Sequence, residues 1–115
     1  MRYGAPMEES RHTSDLLRGH IDTILLKLLL DGDKYGYELT KLVFEGSERA
    51  FELKEATMYS SLKRLEQEGS IQTYWGSETQ GGRRKYCRIT PEGRAAYDAN
   101  KKDWEQTRKI LDRLL

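Results

Sequence analysis

The feature that most constrains the fold is a change of periodicity at Gly69. Before Gly69, apolar residues recur every three or four positions, which places them on one face of a helix: Met58, Leu62 and Leu65. After it, residues 71–75 alternate between two faces and are rich in β-formers, and a second strand is predicted over residues 83–89. Gly69 is expected to end the helix in a left-handed conformation. The sequence therefore predicts a helix followed by a two-stranded β-hairpin.

Two further helices are predicted upstream, over residues 15–30 and 35–44, after a flexible arm at residues 1–14. Ser14 or Asp15 is a suitable N-cap for the first of them. Its second half is apolar almost all round, so it must be buried on two sides. In a chain of 115 residues, the second side is expected to meet another subunit; the alternative is the central core helix of a monomer.

A last helix is predicted from Pro91 to the C-terminus, with Thr90 as N-cap and Pro91 at the first helical position. Residues seven apart on this helix form a heptad-like seam, which is expected to pack against a partner: Tyr97, Trp104 and Leu111. The predicted fold is mainly α: a winged helix-turn-helix at residues 15–90, with three helices and a two-stranded wing, and a dimerisation helix at residues 91–115.

The charge pattern predicts double-stranded DNA as the partner. The whole chain has a formal net charge of only +1, but residues 54–88 contain seven basic and four acidic residues, a net of +3. In winged helix-turn-helix proteins the third helix enters the major groove. The predicted DNA-binding residues lie on the third helix and the returning strand: Lys54, Thr57, Tyr59, Ser60, Lys63, Arg64, Arg83, Arg84 and Lys85. The alternatives are a solvated basic hairpin, or a winged-helix module that binds a protein.

Other function classes lack the residues that they need. His12 and His20 have no nearby cysteine or paired carboxylate at metal spacing, so no metal, cofactor or catalytic site is predicted. Cys87 is interpreted as a small packing residue, with a redox sensor as the alternative. The apolar run at residues 24–30 is too short to cross a membrane, and no signal peptide is indicated, which together with the single cysteine predicts a cytoplasmic protein.

Several motifs resemble the PadR family of bacterial transcriptional regulators. They occur in order along the chain: Tyr35-Gly36-Tyr37-Glu38-Leu39, Ala56-Thr57-Met58-Tyr59, Leu62-Lys63-Arg64-Leu65-Glu66, Gly69, Gly81-Gly82-Arg83-Arg84-Lys85-Tyr86 and Ile89-Thr90-Pro91-Glu92-Gly93. The single helix after the wing resembles the compact subgroup. Within that subgroup, Tyr74-Trp75-Gly76 and Trp104 are most similar to the LmrR-type multidrug-sensing repressors.

The resemblance implies a homodimer held by the first and last helices, which represses a transporter or stress-response gene from a pseudo-palindromic operator. It also implies a cavity at the dimer interface for a small planar aromatic ligand, with Trp104 stacking on that ligand. The predicted ligand-binding residues lie on the first and last helices: Leu16, Gly19, Thr23, Asn100, Trp104 and Arg108. Because Arg108 and Lys101 are cations, anionic or neutral aromatics are expected, unless Asp22 or Asp103 faces the cavity and supplies negative charge. Packing of the dimer alone is the alternative role of Trp104.

Overall fold

The computed structural model describes the backbone of residues 11–77 and 82–115, and the side chains from residue 15 onwards within those ranges. Within this part of the chain there are five helices and three strands: α1 (Arg11–Arg18), α2 (Ile21–Leu29), β1 (Lys34–Tyr35), α3 (Gly36–Gly46), α4 (Glu55–Gln67), β2 (Ile71–Trp75), β3 (Lys85–Ile89) and α5 (Pro91–Leu114). The strands form one antiparallel sheet in the order β1-β3-β2. The predicted winged helix-turn-helix is confirmed.

The first predicted helix is wrong in one respect, because it is two helices. Gly19 and His20 separate α1 from α2. The backbone N–H of His20 donates to the carbonyl of Leu17 at 2.8 Å, which is the tighter i→i−3 turn that often ends a helix. Glycine has a low helix propensity, so the break falls where the helix is intrinsically weakest.

The predicted N-terminal boundary is also wrong. Because α1 begins at Arg11, Ser14 and Asp15 lie inside a helix and do not cap it. Residues 11–14 are therefore helical and do not belong to the predicted flexible arm, whose remaining residues, 1–10, lie outside the described residues.

The centre of the fold is α2, which packs against α3, α4, α5 and β3. Its fully buried side chains join the apolar residues of the other elements in one core: Ile21, Leu25, Leu26, Leu29, Leu39, Val43, Phe51, Leu53, Met58, Leu62, Leu65, Ile71, Cys87 and Ile89. Ile24, Leu28 and Leu30 are half-buried against the same core. Burial of α2 on several sides is thus achieved within a single chain.

The sheet contains a strand that the sequence pattern did not reveal. Lys34 and Tyr35 pair with Cys87 and Tyr86 of β3, so the two predicted strands of the wing are joined by a third strand. Two residues are too few to show alternation, and Tyr35 had been assigned to the following helix, which begins at Gly36. The backbone N–H of Tyr35 instead donates to the Glu38 carboxylate at 3.1 Å, one half of a capping box.

The end of α4 follows the prediction for Gly69, which has a positive φ of 80°. Its N–H donates to the Glu66 carbonyl at 3.0 Å, and that of Ser70 donates to the Leu65 carbonyl at 2.9 Å. This pair of bonds is a Schellman motif, which turns the chain out of α4 and into β2.

The wing is anchored at its base by the turn before β1. The Tyr74 hydroxyl of β2 donates to Asp33, and Arg88 Nε of β3 donates to the same carboxylate at 3.2 Å. The Asp33 hydrogen bond raises the pKa of Tyr74 above its usual value. β3 begins at Lys85, two residues later than predicted, and residues 78–81 of the predicted turn lie outside the described residues.

The start of α5 has the predicted cap. The Thr90 side chain accepts a hydrogen bond from the Gly93 N–H at 3.0 Å, and Pro91 is the first helical residue. The Thr90 hydroxyl donates to the Gly69 carbonyl at 2.6 Å, which ties the end of α4 to the start of α5.

Candidate nucleic-acid interface and adjoining cavity

The exposed face of α4 carries four of the predicted DNA-binding residues. The side chains that fix α4 to the core are Met58, Ser61, Leu62 and Leu65. Thr57, Tyr59, Ser60 and Lys63 are exposed, and Tyr59 keeps 55% of its surface accessible. The helix therefore presents hydroxyl groups and one ammonium group to the solvent. These groups donate hydrogen bonds to phosphates and base edges.

The N-terminus of α4 lacks a side-chain cap. Lys54 occupies the N-cap position in an extended conformation, and its side chain accepts no hydrogen bond from the helix. The first N–H groups of a helix have no partner within that helix and carry a partial positive charge. Lys54 adds a full positive charge at the same end. The unpaired N–H groups and this charge together favour a phosphate there.

The wing places the three predicted DNA-binding cations beside aromatic rings. The guanidinium of Arg83 lies 5.8 Å and the ammonium of Lys85 lies 5.9 Å from the centre of the Trp75 ring. Arg84 lies 4.7 Å from the ring centre of Tyr35. All three cations are exposed, and cation–π contacts hold them in place without neutralising their charge.

A groove of about 700 Å³ separates α4 from the wing. It brings together predicted DNA-binding residues from both elements: Tyr59, Lys63, Arg83, Arg84 and Lys85. Trp75 also lines this groove and is 56% exposed. The sequence prediction did not assign Trp75 to the site. The available signal was its position at the end of the first predicted strand, opposite the cations of the returning strand.

Arg64 departs from its predicted orientation. Its Nη2 and Nε donate to the two carboxylate oxygens of Asp22 on α2, at 2.6 and 2.9 Å. The buried Ser61, one turn earlier on α4, donates its hydroxyl to the same carboxylate. Residues three apart share a helix face, so Arg64 lies at the α2 side of α4 with Ser61, while 52% of its side chain stays exposed.

Asp22 is held in its charged form by these contacts. Partial burial would raise the pKa of its carboxyl group, but the hydrogen bonds from Arg64 and Ser61 and the positive charge of Arg64 lower the pKa below its usual value. The ion pair is therefore formed at neutral pH.

A second cavity, of about 270 Å³, lies between α2 and α5. Four predicted ligand-binding residues line it: Gly19, Thr23, Asn100 and Trp104. Asn100 Nδ2 donates to Thr23 Oγ1 at 3.0 Å. The ring of Trp104 meets the edge of the His20 ring at 5.3 Å between centres and remains 39% exposed.

Two predicted ligand residues are absent from the lining of this cavity. Leu16 is 76% exposed on α1, and Arg108 is also exposed on α5. Asp22 and Asp103 are among the residues that line the cavity, and neither lysine nor arginine lines it among the described residues. The expected preference for anionic aromatics therefore has no support in this geometry. That Asp22 and Asp103 both border this cavity was not readable from the sequence.

Cys87 is a packing residue in β3. Burial raises the pKa of its thiol to about 11, and the nearby Glu66 carboxylate acts in the same direction. A redox-sensing cysteine needs an exposed thiol of low pKa, so the alternative interpretation of Cys87 is wrong. The described residues contain no cluster of three or more histidine, cysteine or acidic side chains suited to a metal ion.

Comparison with known proteins decides the family. Residues 25–99 match the transcriptional regulator PadR-like family, and this match spans more than half of the chain. The chain belongs to the PadR family. Members of this family are transcriptional regulators and not enzymes, as the absence of a catalytic constellation in the sequence predicted.

Two solved structures and one curated relative are similar over most of the chain. A transcriptional regulator from Clostridium thermocellum, Cth-833, is 45% identical with a TM-score of 0.81, over 87% of this chain and 94% of that chain. A PadR family transcription regulator from Clostridium difficile R20291 is 38% identical with a TM-score of 0.73, over 84% and 98% of the two chains. Uncharacterized protein X of Lysinibacillus sphaericus is 41% identical over 99 residues, 86% of this chain and 91% of that protein.

The family assignment supplies the class of partner, because PadR regulators bind DNA. None of the described helices has both the length and the apolar character needed to cross a bilayer.

Proposed function

We propose that this PadR protein is a homodimeric, LmrR-type repressor of a transporter or stress-response gene, which a small aromatic compound releases from a pseudo-palindromic operator. The observation that carries the DNA part of the proposal is the groove between α4 and the wing. Exposed cations from both elements line it, within a chain whose overall charge is close to neutral. Positive charge concentrated on one surface attracts the phosphate backbone.

In this proposal α4 reads the major groove with Thr57, Ser60 and Lys63, while Tyr59 lies at the margin. Lys54 and the free N–H groups of α4 contact one phosphate. Arg83, Arg84 and Lys85 contact the backbone beside the groove that α4 enters. Arg64 is proposed to act through its ion pair with Asp22 and not by contact with a phosphate.

The test is charge reversal in the wing. The variant Arg83→Glu/Arg84→Glu removes two phosphate contacts per subunit, and each lost contact lowers the slope of log K against log salt by about 0.9. For a dimer we expect the slope to fall by about 3 to 4 and the affinity for a duplex selected from a random pool to fall steeply.

The matched control is Lys102→Glu/Lys109→Glu, which changes the charge equally on the side of α5 opposite Trp104. This control is expected to keep the wild-type slope. Binding by the wing variant with unchanged affinity and salt slope would contradict DNA binding through the wing and would favour a protein-binding winged helix.

The dimer is proposed from the large aliphatic residues that one chain leaves uncovered. Among the described residues they lie on α1, on the second half of α5 and at its C-cap: Leu16, Ile110, Leu111, Leu114 and Leu115, which are between 42% and 99% exposed. A row of this kind on a helix is typical of a surface covered by a second subunit. Sedimentation at micromolar concentration is expected to give a dimer for the wild type and a monomer for Leu111→Glu/Leu114→Glu. A monomeric wild type would refute this part.

The ligand is proposed to be a planar aromatic cation. Trp104 offers an exposed indole face, and Asp22 and Asp103 supply negative charge in the same cavity. In a Trp75→Phe background, such cations are expected to quench Trp104 fluorescence more strongly than aromatic anions of similar size. No quenching by either class would leave Trp104 as a packing residue of the dimer.

A further inference from the structure

Asp22 belongs to two sites at once. It lines the cavity beside Trp104, and its carboxylate accepts hydrogen bonds from Ser61 and Arg64 of α4, which are 39 and 42 residues away in the chain. Asp103 lines the same cavity but makes no hydrogen bond or ion pair with α4 among the described residues. The two carboxylates therefore differ in their connection to the DNA-binding helix.

We propose that Asp22 is the residue that couples occupancy of the cavity to the position of α4. This inference rests on the proposed function, because it requires both a ligand in the cavity and DNA on α4. Asp22 is a positioning residue for DNA binding: it fixes α4 through Arg64 and Ser61, and touches no DNA itself.

The geometry gives α4 a charged attachment to α2 on its inner side. Arg64 donates to both oxygens of Asp22, so the two planar groups hold each other in orientation as well as in distance. Ser61 is 1% exposed, and its hydroxyl depends on the same carboxylate for a partner. Apolar contacts alone permit sliding, whereas these three hydrogen bonds fix the register of α4 against α2.

A cation in the cavity acts on the same carboxylate. The two oxygens of the Asp22 carboxylate already accept three hydrogen bonds, and a carboxylate has about four acceptor sites in all. A ligand cation beside Asp22 attracts the carboxylate and repels the Arg64 guanidinium, so the attachment of α4 is weakened. DNA binding needs α4 in its fixed position, so DNA favours the empty cavity. Linkage requires the effect to be reciprocal.

The test measures the affinity of one planar aromatic cation, 1-methylquinolinium, by calorimetry with and without a bound duplex selected from a random pool. Titration of the duplex alone corrects for binding of the cation to DNA. We expect the duplex to weaken probe binding to the wild type about tenfold, which is within the usual range of allosteric coupling. For Asp22→Asn, which keeps the volume and an acceptor oxygen but loses the charge, we expect the ratio to fall below about twofold.

Asp103→Asn is the matched control. It removes an equal charge from the same cavity without touching α4, so probe binding weakens while the ratio of about tenfold persists. Ser61→Ala is the second variant. It keeps the charge of Asp22 and removes one attachment to α4, so we expect an intermediate ratio of about threefold. It serves as the measurement if Asp22→Asn does not fold.

The outcomes separate this inference from the proposed function. If the wild type does not bind the probe, or does not bind the duplex, the proposed function itself is contradicted. If the wild type binds both the probe and the duplex, but the duplex leaves the affinity for the probe unchanged, only the coupling is overturned. An unchanged ratio in Asp22→Asn also overturns the coupling. An increase in duplex affinity in Asp22→Asn overturns the positioning role, because it shows that the pair holds Arg64 away from a DNA contact.

Discussion

Gly93, in the first turn of α5, offers a sharp test of how the C-terminal helix is joined to the winged domain. Gly93 is buried, and a Cβ atom added to it would overlap the Ser70 carbonyl oxygen and lie 2.8 Å from Cγ1 of Ile89. The Ser70 carbonyl cannot move freely, because it accepts a hydrogen bond from the Thr90 N–H at 3.0 Å. Gly93→Ala therefore forces α5 away from the end of α4.

The expected magnitude follows from two opposing effects. Overpacking against a fixed neighbour costs about 1–3 kcal/mol, at the upper end here because the neighbour is backbone. Alanine returns about 1 kcal/mol through its higher helix propensity. The net loss in the free energy of unfolding is about 1–2 kcal/mol, which lowers Tm by about 4–8 °C for a chain of this size.

The assay is thermal and urea unfolding followed by circular dichroism, at one protein concentration because a dimer's stability depends on concentration. Gly46→Ala is the matched control, since a Cβ at the exposed end of α3 meets nothing within 4 Å. That substitution is expected to raise stability by a few tenths to about 1 kcal/mol. If Gly93→Ala is as stable as the wild type, the close packing of α5 on Ser70 is refuted.

Three further predictions concern single groups. Gly69→Ala is expected to cost about 1 kcal/mol in unfolding measurements, because φ at this position is +80° and a Cβ disfavours that conformation; no loss would contradict the Schellman ending of α4. The Asp22 pKa is lowered in the folded state, so its stabilisation is present above the pKa of the unfolded chain and is lost as pH falls through the folded value. Stability of Asp22→Asn should accordingly vary less with pH below about 5 than that of the wild type. The Cys87 thiol, with a pKa of about 11, is expected to react slowly with a thiol reagent at pH 8 and rapidly after unfolding in urea; fast reaction in the folded protein would contradict its burial.

Most of the wing and the helices around it follow from local signals in the chain. Residues 65–71 contain the end of the helical apolar pattern, a glycine suited to positive φ and the start of the strand alternation. Each of these signals acts over only a few residues. Thr90 and Pro91 likewise predict the start of α5, because an N-cap threonine and a proline at the first helical position act without tertiary contacts. Local physics explains why these predictions are confirmed and why the exposed face of α4 was also recognised.

The errors arise where neighbouring and distant effects compete. A continuous apolar pattern predicted one helix where Gly19 and His20 divide two. β1 has too few residues to show a period, and it forms because β3 is already present to pair with it. Arg64 was assigned to the outer face from the helical wheel, whereas the position of Asp22 on α2 draws it to the inner side.

The end of α4, the two strands of the hairpin, the cap of α5 and the cluster of cations thus follow from neighbouring residues of this PadR chain, because helix periodicity, turn conformation and charge act locally. The contacts that join the cavity to α4 are different in kind. Asp22 meets Trp104 in one cavity and Arg64 in one ion pair only after α2 has packed between α4 and α5. Contacts across such distances in the chain depend on the packing of whole helices, which no short stretch of sequence specifies.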